Sequence, residues 1–362
     1  MPRFQTGTVQ AILYERKSIQ RVKVKIGRKN RTATCLTDIC GALTEGDRVV
    51  LNTTGVDLDL GTGGDDFVVW NLGVEKSGKM SGGHILKLRY TPGQIDTLVA
   101  ESPESPHHDK LESAASLDGM PVVACGLHSQ IAPVAAMLKH IDPDLRVAYV
   151  MTDGAALPLE HSDLVFELRE KKVLDATVTC GHAFGGDLEA VNVFSGMVIA
   201  SEIIGADVTI VSMGPGIVGT GTLLGHTGME QGQVLSAAAA LGGRPIAALR
   251  ISFADARERH RCVSHHSISA LRFAALARCT IAVPDLEIDK LSAVMTDLTD
   301  AGLAEMHDLT LVDSWETSAA LEEFGLAPKT MGRDFSQDPE FFEAAGAAGL
   351  LAGRLIYEVE ET

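Results

Sequence analysis

Apolar positions follow two different rhythms along the chain. Up to about residue 98 they alternate with polar ones in short runs. Arg21-Val22-Lys23-Val24-Lys25-Ile26 alternates strictly, the period-2 mark of a half-buried strand. Thr8–Tyr14, Asp47–Asn52 and Phe67–Leu72 predict further strands, and Gly27-Arg28-Lys29-Asn30 supplies a turn between two of them. No helical period intervenes, which predicts a small all-β barrel or sandwich over residues 1–98. Residues 99–118 are rich in Pro, Ser and Glu, with little apolar periodicity, and read as a linker.

From Pro121 onward, short apolar runs alternate with longer stretches of helical period. Strands are predicted at Val122–Cys125, Arg146–Thr152, Ala176–Cys180, Val208–Met213, Ile246–Ile251, Thr280–Val283 and Leu309–Val312. Helices are predicted at Gln130–His140, Leu188–Ile204, Met229–Leu241, Ser267–Arg278, Leu286–Ala301, Ser318–Phe324 and Pro339–Glu358. This order predicts residues 119–362 as a Rossmann-like three-layer α/β domain on a mainly parallel sheet.

Composition removes several alternatives. Hydrophobic residues make up 45% of the 362 and charged residues 22%, which excludes a disordered chain. Val191–Ile204, the longest apolar stretch, is broken by Asn192, Ser195, Ser201 and Glu202, so no membrane span is expected. The amino terminus lacks a signal-peptide core, and the six cysteines are scattered without a C-x-x-C; both point to reduced thiols in a cytoplasm. Cys125 and Cys180 end apolar runs and read as small core residues. The net charge of −17 argues against a polyanionic partner. It is uneven, however. Residues 1–31 hold nine Lys and Arg against the single acid Glu15, a net +8 set against −25 in the remainder. Arg21, Lys23 and Lys25 share one strand face and leave nucleic acid open as a partner, although Tyr14 is the only aromatic between Phe4 and Phe67. The simpler reading is a solvated face, or one docked on the acidic remainder or on another subunit.

In an open α/β sheet, ligands bind beyond the carboxyl ends of the strands. The residues that follow five successive predicted strands are Gly, His, Asp, Ser or Thr: Gly126-Leu127-His128-Ser129, Thr152-Asp153-Gly154, Gly181-His182 to Asp187, Gly214 to Thr222, and Ser252 to Asp255 with Ser264-His265-His266-Ser267 beyond. Gly214, Gly216 and Gly219 satisfy G-x-G-x-x-G, and with Thr220, Gly221 and Thr222 they form a candidate cradle for an anion. A dinucleotide fingerprint fits less well, because the next helix starts only near Met229 and no acid ends the following strand. A backbone that merely needs glycine to turn is the plain alternative.

His128, His182 and His265 are candidate general acids or bases, with Asp153 or Asp187 to orient one of them. A His182, Asp187, His265, His266 metal set is conceivable, though its spacing matches no standard motif. Structural hydrogen bonding competes with each of these roles, and Ser264 or Ser267 suffices as a helix N-cap. Ser129 and Ser212 are weaker nucleophile candidates without a G-x-S-x-G elbow. Arg333 offers an anion partner from the last loop. The small-residue run Ala344–Gly349 permits close helix contact, inside the chain or between copies.

The run Ser212 to Gly232, with Leu127-His128-Ser129-Gln130, Val68-Val69-Trp70-Asn71-Leu72 and Ser264-His265-His266-Ser267, resembles an uncharacterised bacterial family catalogued as domain of unknown function 3866 (DUF3866). The resemblance spans nearly the whole chain, implies a bacterial origin and supplies no activity or catalytic residue. Three functions remain: an enzyme for a small anionic or phosphorylated metabolite, a non-catalytic sensor or scaffold that binds nucleic acid through the basic strand, and a metal-dependent hydrolase.

Overall fold

The computed structural model describes residues 1–60, 63–75 and 80–357. They divide into two compact units, Met1–Leu98 and Val99–Thr362.

Unit 1 is built on strands β1 (Phe4–Arg16), β2 (Ile19–Ile26), β3 (Lys29–Leu36), β4 (Arg48–Asn52) and β5 (Asp66–Asn71), closed into a barrel in the order β1-β2-β3-β5-β4. A separate two-stranded ribbon joins β6 (Ile85–Lys87) to β7 (Ile95–Thr97). The alternation in β2 does what its pattern predicts. Val22 and Val24 are fully buried in the barrel with Val9, Ala33, Val49 and Leu51, while Lys23 and Lys25 face outward. Arg21 is not a free member of that basic face: its guanidinium pairs with Asp65 at 2.7 Å. Arg31 pairs with the buried Asp66 at 2.7 Å and with Asp57 at 2.8 Å.

Unit 2 carries an eight-stranded sheet in the order β11-β10-β9-β12-β8-β13-β16-β17. Its members are β8 (Pro121–Cys125), β9 (Val147–Thr152), β10 (Ala176–Cys180), β11 (Leu188–Ala190), β12 (Val208–Met213), β13 (Arg244–Ala248), β16 (Thr280–Pro284) and β17 (Asp308–Val312), and every pairing is parallel. β14 (Ile251–Ser252) and β15 (Cys262–Val263) form a small antiparallel ribbon outside it. Side chains alternate between two cores, as a buried parallel strand requires. Val123, Cys125, Tyr149 and Met151 face helices Ile131–Ile141 and Pro339–Tyr357, whereas Val122, Ala124, Ala148 and Val150 face Val193–Ile199 and Glu230–Ala240. The architecture is thus a barrel followed by a three-layer Rossmann-like fold. No helix among the described residues is long and apolar enough to cross a membrane.

Three expectations are corrected. The helix predicted at Leu188–Ile204 begins as edge strand β11, and its helical part runs from Val193, capped by the Asn192 side chain; three residues of edge strand leave too little pattern to separate them from a helix. The run Ile246–Ile251 is two elements, because the chain leaves the sheet after Ala248 and β14 pairs with β15. Segment 99–118, read as a linker, packs within unit 2: Ala100 and Leu117 are core residues, and their amides donate to Glu189 O and Leu241 O at 2.8 Å. The run Ala344–Gly349 is buried inside unit 2, where a Cβ on Gly349 would lie 2.5 Å from Val134 O; glycine is what lets the two helices approach. Glu358, the predicted end of that helix, lies outside the described residues.

Candidate functional site

Strand order locates the site. β12 enters between β9 and β8, and the later strands β13, β16 and β17 are added on the opposite side of β8, so the switch point lies at the carboxyl ends of β9, β12, β8 and β13. Two buried glutamines tie this edge together. Gln231, in the first turn of helix Glu230–Ala240, donates from Nε2 to Ala124 O and Ala248 O at 2.8 Å, and Gln130 donates to Leu249 O at 2.8 Å.

Beside them, Glu230 places a carboxylate at the ends of β9 and β12. Burial pushes its pKa up to about 7, the Asp153 carboxylate pushes the same way, and the Thr152 hydroxyl opposes. Glu230 Oε2 is buried without a well-formed hydrogen bond, as is the Thr152 hydroxyl beside it; the Ser212 hydroxyl is also buried and unpartnered but, by strand alternation, faces the other core. A Cβ on Gly154 would lie 2.5 Å from Glu230 Oε2, so any larger residue there would push this carboxylate aside. Asp153 takes the His182 backbone N–H at 2.9 Å. It meets that residue through the amide, not through the paired imidazole and carboxylate expected from sequence.

The second half of the edge is a histidine cluster. His226 follows the glycine loop, and Ser264 caps the short helix His265–Ser269 by accepting the His266 N–H at 3.3 Å. Because His265 and His266 start a helix rather than an extended strand, each turns about 100° from its neighbour and both rings gather on one side. Their centroids are 4.4 Å apart; His226 stacks on His266 at 3.9 Å with the planes 10° apart, and His260 lies 4.8 Å from His266 and 4.9 Å from His265. Burial lowers all four pKa values, to about 3 for His260 and about 2 for His266, with neighbouring histidines and Arg250 adding to the effect on His266. The four rings are therefore neutral at physiological pH.

An ionic network borders the cluster. Arg250, 4% exposed, pairs with Asp255 at 3.4 Å; Arg257 pairs with the same carboxylate at 2.8 Å; Arg333 holds Asp338 at 2.9 Å and reaches Asp255 at 3.5 Å. The fully buried Asp338 also accepts the Ser252 hydroxyl at 2.8 Å. Three guanidiniums against two carboxylates leave an excess of positive charge.

The remaining expected site residues are engaged in structural contacts. His128 is held at both nitrogens: Nδ1 donates to Met213 O at 3.1 Å, which makes Nε2 the acceptor of the Ser162 hydroxyl at 2.6 Å. Ser162 in turn caps helix Asp163–Glu170 through the Val165 N–H at 3.0 Å, so this pair is a packed connection. Burial lowers the His128 pKa to about 4. Asp187 accepts from Thr177 N–H and hydroxyl and pairs with Arg169 at 3.0 Å, separate from the histidine cluster. In the glycine loop, the Thr220 and Thr222 hydroxyls bond to one another at 2.9 Å and to Gly225, and the Thr220 N–H donates to Gly225 O, so these groups brace the loop instead of standing open to an anion. Gly214 packs on the Ala156 carbonyl, Gly216 and Gly221 sit at φ +104° and +79°, and Gly219 bridges to His226. Two features escaped the sequence reading. Glu230 was hidden as an ordinary first-turn acid, and His226 as one histidine among several on loops.

A family model described as a protein of unknown function (DUF3866) matches residues 32–349. The chain belongs to the DUF3866 family. No curated protein and no solved structure matches it. The family match runs from within β3 to the last helix, so it takes in every site residue of this DUF3866 chain described above.

Proposed function

We propose that the carboxyl edge of the parallel sheet in unit 2 is the active site of an enzyme for a small anionic metabolite, with Glu230 as its proton-transferring group. The observation that carries this reading is Glu230 itself. It is a carboxylate held near pKa 7 by burial, its buried Oε2 makes no well-formed hydrogen bond, and the Thr152 hydroxyl at the end of β9 lies close enough to oppose that rise. A group poised near neutrality can both take and give a proton, and a strongly perturbed carboxyl in a crevice is a marker of function. The excess guanidinium charge of Arg250, Arg257 and Arg333 over Asp255 and Asp338 favours an anionic ligand.

The test is a thermal-shift screen of phosphate monoesters, nucleotides and carboxylates, followed by assays of each hit for chemical change. Glu230→Gln should keep the shift and lose turnover by about 100-fold or more, the scale of one acid–base residue. Turnover unaffected by that substitution overturns the role of Glu230. A response confined to uncharged compounds overturns the anionic class.

A further inference from the structure

We propose that His226, His265 and His266 form a three-imidazole site for a divalent transition-metal ion. One nitrogen from each ring lies within 4.8 Å of the other two. His226 Nδ1, His265 Nε2 and His266 Nδ1 are all buried without a hydrogen-bond partner, and His226 and His266 are only 7% and 8% exposed. Buried polar atoms are rarely left unpaired, and three on adjoining imidazoles ask for a shared partner.

The nature of that partner follows from one hydrogen-bond chain. The Ser269 hydroxyl donates to the His265 carbonyl, which can only accept, and Ser269 Oγ contacts His226 Nε2 at 2.8 Å. Its proton is already committed, so Oγ accepts and His226 Nε2 carries the hydrogen. In the neutral ring the lone pair therefore sits on His226 Nδ1, although the Leu223 backbone favours the protonated form. A lone pair suits a metal ion and repels an anion. A metal-bound histidine usually donates its other ring N–H to such a fixed oxygen, the part Ser269 plays here. An all-imidazole donor set favours zinc, cobalt, nickel, copper or iron over magnesium or calcium, and three protein ligands leave coordination positions open.

Two glycines give these rings space. A Cβ on Gly228 would lie 3.0 Å from the donor His226 Nδ1, and one on Gly219 would lie 3.1 Å from Nε2 on the far side of the His266 ring, so Gly219 gives that ring space and does not itself clear its donor atom. The third glycine of the G-x-G-x-x-G run thus makes room for a histidine. Binding also requires a rearrangement. A metal lies near the plane of each imidazole that holds it, and stacked parallel rings cannot both meet that condition. One of His226 and His266 must turn out of the stack, drawing the nitrogens toward the separation of about 3.3 Å set by metal–nitrogen bonds near 2.0 Å in a tetrahedron.

The site stands apart from the reading of Glu230, since its test is metal binding and not turnover. The untagged full chain, stripped with chelator, is titrated with cobalt(II) and zinc(II), followed by visible absorption and calorimetry. One equivalent should bind, with ligand-field bands of a nitrogen-ligated cobalt ion, and raise the melting temperature. Ser269→Ala should weaken binding roughly 10- to 100-fold. His266→Ala and His226→Ala should abolish the bands, and His182→Ala should leave them unchanged. Failure of the wild-type chain to take up an equivalent of either metal overturns the proposal whatever the variants do. Bands that survive His226→Ala and His266→Ala in folded protein overturn it as well.

Discussion

The barrel of unit 1 and the carboxyl edge of unit 2 both bury charge, and they treat it in opposite ways. In the barrel, Asp65 accepts from Arg21, Thr32 and Thr34, and Asp66, though burial raises its pKa, is ion-paired with Arg31. Its buried carboxylates answer its own cations. At the carboxyl edge, nitrogens of His226, His265 and His266 and oxygens of Thr152, Ser212 and Glu230 are buried and unanswered. A fold that tolerates such a concentration of unsatisfied atoms gives up stability there, and sites that bind or react are where proteins do so. His128 sharpens the contrast within unit 2. It lies on the same edge and was an equal candidate by sequence, yet both its nitrogens are satisfied.

The largest expected effect is in the barrel. Arg31→Ala strips the partner from a buried carboxylate and should cost about 3 kcal/mol, the scale for breaking a buried pair. Chemical denaturation of unit 1 checks it, and a loss under 1 kcal/mol would mean that the barrel's pairs are as dispensable as surface ones. Next, His128→Ala should cost about 2–3 kcal/mol at pH 8 by orphaning the Met213 carbonyl and the Ser162 hydroxyl. The folded pKa of His128 is depressed to about 4 from an ordinary 6.5. Its contribution is therefore complete above pH 6.5 and fades as pH falls toward 4. A pH-independent cost would break the assignment of His128 as a neutral bridge.

Glu230 has the opposite sign. Its folded pKa of about 7 stands above that of an unfolded glutamate. The folded state holds the extra proton between about pH 4.5 and 7, so stability falls as pH rises through that window. Glu230→Gln should raise stability by roughly 1–3 kcal/mol at pH 8 and by little at pH 4. Unfolding midpoints for both proteins at the two pH values decide it, and a variant less stable than wild type at pH 8 would refute the strained carboxylate. The smallest effect belongs to the barrel's outward lysines. Lys23→Ser and Lys25→Ser should each change stability by less than about 0.5 kcal/mol. A larger loss would show that this face is not simply solvated.

Much of this organisation was legible in the residues because it depends on local period. The strict alternation of Arg21–Ile26 defined a barrel strand, and the apolar runs at Ala176–Cys180 and Val208–Met213 marked parallel strands at their observed limits. The strand ends pointed to the carboxyl edge of the sheet, where Asp153 and His265 lie. The glycine loop was legible as a loop, but not its internal contacts. Its Thr220 and Thr222 hydroxyls brace one another, and Gly219 serves His266. Sequence spacing could not reveal this, since a φ value or a missing Cβ matters only against what stands beside it.

The sequence by itself determined a small barrel followed by a parallel α/β sheet, because short-range alternation of apolar side chains dictates strand, helix and layer. Only the tertiary structure decided which of its histidines remain unsatisfied. His128 and Ser162 are 34 residues apart, and His226 and Ser269 are 43. Whether an imidazole ends as a closed bridge or an open lone pair depends on which partner packing brings to its second nitrogen, and that is a property of the folded neighbourhood, not of the chain.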